Sequence, residues 1–156
     1  MTGRAEVKRL EQILDATFRR ATGLQGDAEL LSDFARYLCI LVSGFLEQSV
    51  QELVLEYARR TASPAVQRYV ASRIRGFTNA NAQRLLDLVG SFDPDWRIDL
   101  EIYLVDERKA AVDSVIDLRN TISHGRYAGV TMSRITEYYK HVRNVIDHMS
   151  ARFDPV

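Results

Sequence analysis

The chain reads as an all-α protein, and three observations carry that expectation. Apolar residues recur at three- and four-residue spacing over most of its 156 residues. The breaks between those stretches are of the kind that cap helices: Gly23, Gly26 and Asp27, then Ser63 and Pro64, then Gly125. Only Leu100 to Leu104 has strand-like residue types, and a lone strand would have no partner, so it is read as loop or helix. Two long helices followed by a helical hairpin make a four-helix up-and-down bundle with short accessory helices, taken as one domain over residues 1–156.

The elements follow in order. Glu6 to Arg20 places Val7, Leu10, Ile13, Leu14, Thr17 and Phe18 at helical spacing. Gly23 and Gly26 break that helix, and Asp27 can cap the next, which runs from Ala28 to Ala62 with Leu30, Phe34, Leu38, Leu41, Phe45, Val50 and Leu53 among its apolar positions. Ser63-Pro64 ends it, and Pro64 opens a short helix to Arg75. Asn79 or Asn81 caps another helix that carries Leu85, Leu86 and Val89, and Gly90 is expected to stop it. Residues 91–99, with Phe92, Pro94 and Trp96, look like a connector packed on the bundle. Asp106 opens a helix through Leu118 that ends at His124-Gly125. After a short loop, Thr131 or Ser133 caps the last helix, which runs to Phe153 with Ile135, Tyr139, Val142, Val145, Ile146 and Met149 inward.

Composition narrows the function classes. Apolar residues are 46% and charged residues 27%, ordinary values that argue against a disordered chain. The longest apolar run, Tyr37 to Leu46, is interrupted by Ser43 and Gly44 and falls short of a bilayer span. The first twenty residues are charged throughout and show no secretory pattern, so a cytoplasmic setting is expected. Cys39 is the only cysteine, which excludes an intrachain disulfide, and its apolar neighbours mark it as a core thiol. The histidines are not at metal-ligand spacing and no glycine-rich phosphate loop is present, so neither metal nor cofactor is expected.

The net charge is zero, but the charge is unevenly spread. Six arginines and no acid lie between Arg59 and Arg84, whereas 85–107 holds seven acids against Arg97 alone. The two blocks could form one hairpin held by ion pairs, or a positive groove for phosphates beside a subunit contact.

One segment carries chemistry: Arg119-Asn120-Thr121-Ile122-Ser123-His124-Gly125. A histidine can take or give a proton near neutral pH, and an arginine offers a fixed, forked cation to phosphate oxygens. Spacing alone is a weak signal. With 18 arginines and three histidines, about one such match is expected by chance. The chain in fact also holds Arg134 with His141, and Arg143-Asn144 with His148. Residues five apart on a straight helix point about 140° apart. Arg143 and His148 lie within one continuous helical pattern and should therefore face different sides. His124 precedes a helix-stopping glycine, so its last turn can unwind towards the face that carries Arg119. A histidine at that position is also favourable simply as a cation at a helix C-terminus.

Leu118 to Gly125, with the helices on either side, resembles the HEPN superfamily, whose catalytic signature is Arg-x(4–6)-His. Within it the chain looks most like the small stand-alone domains of prokaryotic defence and stress systems. The resemblance implies a homodimer in which two motifs meet across a two-fold axis. It further implies endoribonuclease activity that leaves 2′,3′-cyclic phosphate ends and needs no metal. Arg119 and His124 would be catalytic and Asn120 an orienting residue. Glu47 lies on the long helix where related domains often carry an acid that could hold the arginine or set the histidine tautomer. Arg126 and Tyr127 follow the motif and are candidates for contacts with phosphate and base. Toxins paired with a nucleotidyltransferase antitoxin resemble Arg-x4-His-x-Tyr. Here Tyr127 stands three after His124, a departure that bears on control by tyrosine modification.

Three readings follow. The first is a homodimeric, metal-independent ribonuclease acting on RNA as a toxin or defence effector, with an antitoxin or regulatory protein as possible partner and no membrane. The second is a non-catalytic module that binds RNA or protein. The third is a plain helical adaptor. A dimer whose two Arg119/His124 pairs converge on one cleft favours the first, a dimer burying the motif the second, and a monomer with Arg119 in an ion pair the third.

Overall fold

A computed structural model describes residues 3–154, and every element among them is helical. The order is α1 (Gly3–Thr22), α2 (Ala28–Thr61), α3 (Pro64–Ile74), α4 (Ala82–Phe92), α5 (Pro94–Tyr103), α6 (Asp106–Ser123) and α7 (Met132–Arg152). Helix α2 is the centre: α1, α3, α6 and α7 all pack on it, and α6 packs on α7. The smaller helices α4 and α5 pack on each other, α5 touching α7 and α4 touching α6.

Local chemistry accounts for the boundaries. The carboxylate of Asp27 accepts the Leu30 N–H, Asn81 accepts that of Arg84, and Thr131 accepts that of Arg134, so each satisfies an orphan donor at a helix start. Pro64 and Pro94 stand in the first turns of α3 and α5, where a missing N–H costs nothing. The core is built from Leu38, Val42, Leu46 and Val50 of α2, Val112, Val115 and Ile116 of α6, and Ile135, Val142, Val145 and Ile146 of α7, all essentially inaccessible. Cys39 is buried among them, its thiol pushed up to about 11 by loss of hydration.

Several expectations need correction. Gly90 does not stop α4, which continues to Phe92 because the cap lies at Asp93. A Cβ at Gly90 would come within 3.0 Å of the Arg97 side chain, so this glycine makes room for α5. The supposed connector at 91–99 is the end of α4 and most of α5, and Leu100 to Tyr103 continue that helix. The signal was present: Asp93 caps through the Asp95 N–H and is followed by Pro94. Trp96 packs edge-on to Tyr57 and Phe153 and lies parallel to Phe92, in an aromatic cluster that fastens α5 to α2 and α7. Ile13 and Leu30 keep the helical spacing yet remain about half exposed. By length and composition α2 is apolar enough to cross a membrane, against the short-run reading; yet 61% of its most apolar window is buried within the bundle.

Candidate functional site

Helix α6 ends in a Schellman turn. The Arg126 N–H reaches back to the Thr121 carbonyl at 3.1 Å and the Gly125 N–H to the Ile122 carbonyl at 3.0 Å. Gly125 takes φ +71°, the left-handed conformation that this turn needs. His124 is the C-cap, with its N–H still bonded to the Asn120 carbonyl and its side chain exposed. Arg119 stands one turn earlier on α6 and points inwards, its side chain 21% exposed.

Two other segments, α2 and the α3–α4 loop, meet that guanidinium. Glu47, a buried carboxylate on α2, pairs with Arg119 Nη1 at 3.2 Å. Its second oxygen accepts the backbone N–H of Asn79 at 2.8 Å. Asn79 closes the ring, because its side-chain oxygen accepts from Arg119 Nη2 at 3.1 Å. Asn79 holds φ +55°, a conformation that asparagine tolerates better than most residues. One turn beyond Glu47, the Gln51 amide donates to the Phe77 carbonyl at 3.1 Å and fastens the same loop. Adjacent turns of α2 therefore set the height of the α3–α4 loop, and the loop helps to aim the arginine.

Asn79 is the residue that sequence reasoning missed. The sequence offers it as a possible cap, but Asn81 fills that role. Its position after Gly76, in a loop rich in turn-forming residues, hints at a left-handed backbone. That it meets Arg119, forty residues away, is not readable from spacing.

The other candidates are placed less tightly. The His124 side chain makes no hydrogen bond or ion pair among the described residues, and none joins it to Arg119. Asn120 is half-buried, with its carbonyl engaged in the cap. Arg126 is exposed, and Tyr127 is 82% exposed with the Arg36 guanidinium 5.5 Å from its ring centre. Arg119 keeps an Nε that is buried without a partner.

The second Arg-x4-His copy splits apart. Arg143 faces α1, where it pairs with Asp15 at 3.5 Å and lies over Tyr139. The Tyr139 hydroxyl donates to the same carboxylate at 2.5 Å, and burial pushes that phenol far above its usual range. His148 faces α5, where it is bonded to Asp99 at 2.7 Å and stacked on Tyr103. Arg134 approaches Glu137, and His141 lies 3.9 Å from Glu107. Among the described residues no cluster of His, Cys, Asp or Glu is placed to hold a metal ion.

An exposed histidine caps the end of α6, and five residues earlier an arginine is held by a buried acid, in a bundle whose described elements are all helices. The chain belongs to the HEPN family: the family model described as RiboL-PSP-HEPN matches residues 5–153. No curated protein and no solved structure is detectably similar to it.

Proposed function

We propose that this single-domain chain is a homodimeric, metal-independent endoribonuclease with Arg119 and His124 in its site. The observation that carries the proposal is the Glu47–Arg119–Asn79 ring, built on α6 five residues before an exposed His124 whose side chain has no partner among the described residues. The ring spends side-chain entropy before substrate arrives, as a preorganised electrostatic site should. Its charge is aimed where negative charge grows on the phosphorane oxygens.

In the reaction, the 2′-oxygen of RNA loses its proton to a base and attacks phosphorus. The bond to the 5′-oxygen breaks, that oxygen takes a proton, and a 2′,3′-cyclic phosphate remains. One histidine accounts for one proton transfer. In a two-fold dimer the partner's copy of the motif supplies the second. Asn120 orients His124 or a phosphate, and Arg126 and Tyr127 contact phosphate and base. The setting is a cytoplasmic toxin or defence effector restrained by a regulatory protein.

The ion pair of Arg119 with Glu47 is the feature expected of a plain helical adaptor if the chain is monomeric, and a non-catalytic RNA- or protein-binding module is the alternative to the enzyme. The deciding experiment is cleavage of total and transfer RNA in EDTA by the native protein, Arg119→Ala, His124→Ala and Arg143→Ala. Native protein and Arg143→Ala are expected to cut, and the two motif variants to lose about a hundredfold or more. If nothing cuts, or the motif variants cut as well as native, the binding module takes over. A monomer by sedimentation under assay conditions would remove the composite site.

A further inference from the structure

We propose that the groove between α3 and α4 is a subsite for an unpaired nucleotide of single-stranded RNA. Its base would stack on Tyr69 and its phosphates would meet Arg73 and Arg84. The inference rests on the ribonuclease reading and adds to it how substrate is held away from the reacting phosphate.

Helix α3 leans on α2 while α4 leans on α5 and α6, and the space left between them is a groove of about 340 Å³. Its floor is apolar, with Val54, Ile74, Phe77 and Leu88, and Tyr69 stands on its rim 60% exposed. Arg73 lies 5.3 Å from the Tyr69 ring centre and Arg84 the same distance from that of Phe77. An aromatic face flanked by cations over an apolar floor suits a base joined to phosphates.

The charge left over at this place points the same way. Arg68, Arg73 and Arg75 form no ion pair with a carboxylate among the described residues, and Arg84 meets only the more distant charge of Asp87, which is bonded to Arg97. Of the acids that follow them in sequence, Asp87 and Glu101 pair with Arg97, and Asp99 pairs with Arg152 and His148. The hairpin of mutual ion pairs is therefore absent from the described residues, and a chain of zero net charge carries a local excess of positive charge here. An anion is the complement.

Position completes the case. Gly76 and Phe77 form one wall of the groove, and Asn79, two residues on, touches Arg119. Two residues span at most about 7 Å, so groove and guanidinium share one short loop. The Gln51 and Glu47 bonds fix that loop to α2.

The test uses fluorescence anisotropy of a labelled 2′-O-methyl oligouridine, which lacks the attacking hydroxyl and reads binding apart from cleavage. Arg73→Ala/Arg84→Ala is expected to raise Kd about tenfold or more and to flatten its salt dependence by about 1.4 in log–log slope, the share of two phosphates. The control Arg19→Ala/Arg20→Ala removes the same charge from α1 and should change Kd by less than about threefold. Tyr69→Ala should weaken binding about tenfold, while Tyr69→Phe keeps the ring and stays near native. All these side chains are exposed, so melting temperatures should match native and separate lost binding from lost fold.

Equal weakening by the two arginine pairs would mean diffuse attraction and overturn the subsite, as would native binding by Tyr69→Ala. Arg73/Arg84-dependent binding of polyglutamate with none of oligouridine would make the occupant an acidic polypeptide and overturn it too. Cleavage is read separately on unmodified RNA. Retained cutting by Arg119→Ala sinks the ribonuclease reading whatever the groove binds, whereas a failed groove leaves that reading standing.

Discussion

The chain carries Arg-Asn-x-x-x-His twice, at 119–124 and at 143–148, and the two copies meet opposite fates. In the middle of α7 the spacing sends Arg143 to Asp15 on α1 and His148 to Asp99 on α5. Each side chain is consumed in fastening one helix to another. At the end of α6 the arginine is still held, by Glu47 and Asn79, but the histidine sits on a Schellman turn with no side-chain partner among the described residues. The same letters staple a bundle in one place and leave a histidine exposed in the other. A helix end makes that difference, because it releases the residue from the 100° step and turns its neighbourhood over to solvent.

The largest effect that would break this comparison is a double dissociation between the histidines. His124→Ala is expected to lose about a hundredfold or more in RNA cleavage with an unchanged melting temperature. His148→Ala should cut normally below its melting point but lose about 1–2 kcal/mol in urea unfolding, through the Asp99 bond and the Tyr103 stack. Matching profiles for the two variants would erase the distinction.

Next in size is Glu47→Gln. It leaves a mostly buried guanidinium facing a neutral amide and should cost about 2 kcal/mol or more. Cleavage should fall with it, since the ring no longer aims Arg119. Unchanged denaturant midpoints would show that the ion pair is idle.

Gly125→Ala tests the helix end itself. A Cβ there meets nothing within 4 Å, so only the left-handed backbone is penalised, by about 1 kcal/mol. Gly44 in mid-α2 also has open space for a Cβ, and Gly44→Ala should stabilise by about 0.5–1 kcal/mol. Chemical denaturation of the two variants should give opposite signs.

The finest test is pH. Arg152, and after it His148, hold the Asp99 carboxyl below the usual carboxylate range. A carboxyl lowered by folding contributes stability above its unfolded pKa and loses it as pH falls through the folded one. The melting temperature of Asp99→Asn should therefore lie below native at neutral pH, and the gap should close as pH drops from about 4. A gap independent of pH would show that the loss is packing, not charge.

How much was legible varied with the range of the interaction. Asp27, Pro64, Thr131 and Gly125 announced their helix boundaries because caps and turns are settled by a few neighbouring residues. Gly90 misled because its reason lies across space, in the Arg97 side chain that packs against it. Asp93-Pro94 carried a helix start hidden by the aromatic residues around it. Arg119 and Glu47 could be paired by resemblance, and the 140° argument separated the arginine and histidine of the second copy.

By itself the sequence determined the all-helical class, most helix ends and the frame of the motif, because hydrogen bonds between near neighbours and helical periodicity set those. The tertiary structure alone decided that Asn79 closes the ring on Arg119 and that Arg68, Arg73 and Arg75 form no ion pair among the described residues. It also decided that His148 is spent on Asp99 while His124 is free. Those outcomes depend on which helix faces which across the core. Many sequence-distant partners compete for each charge there, and packing selects among them.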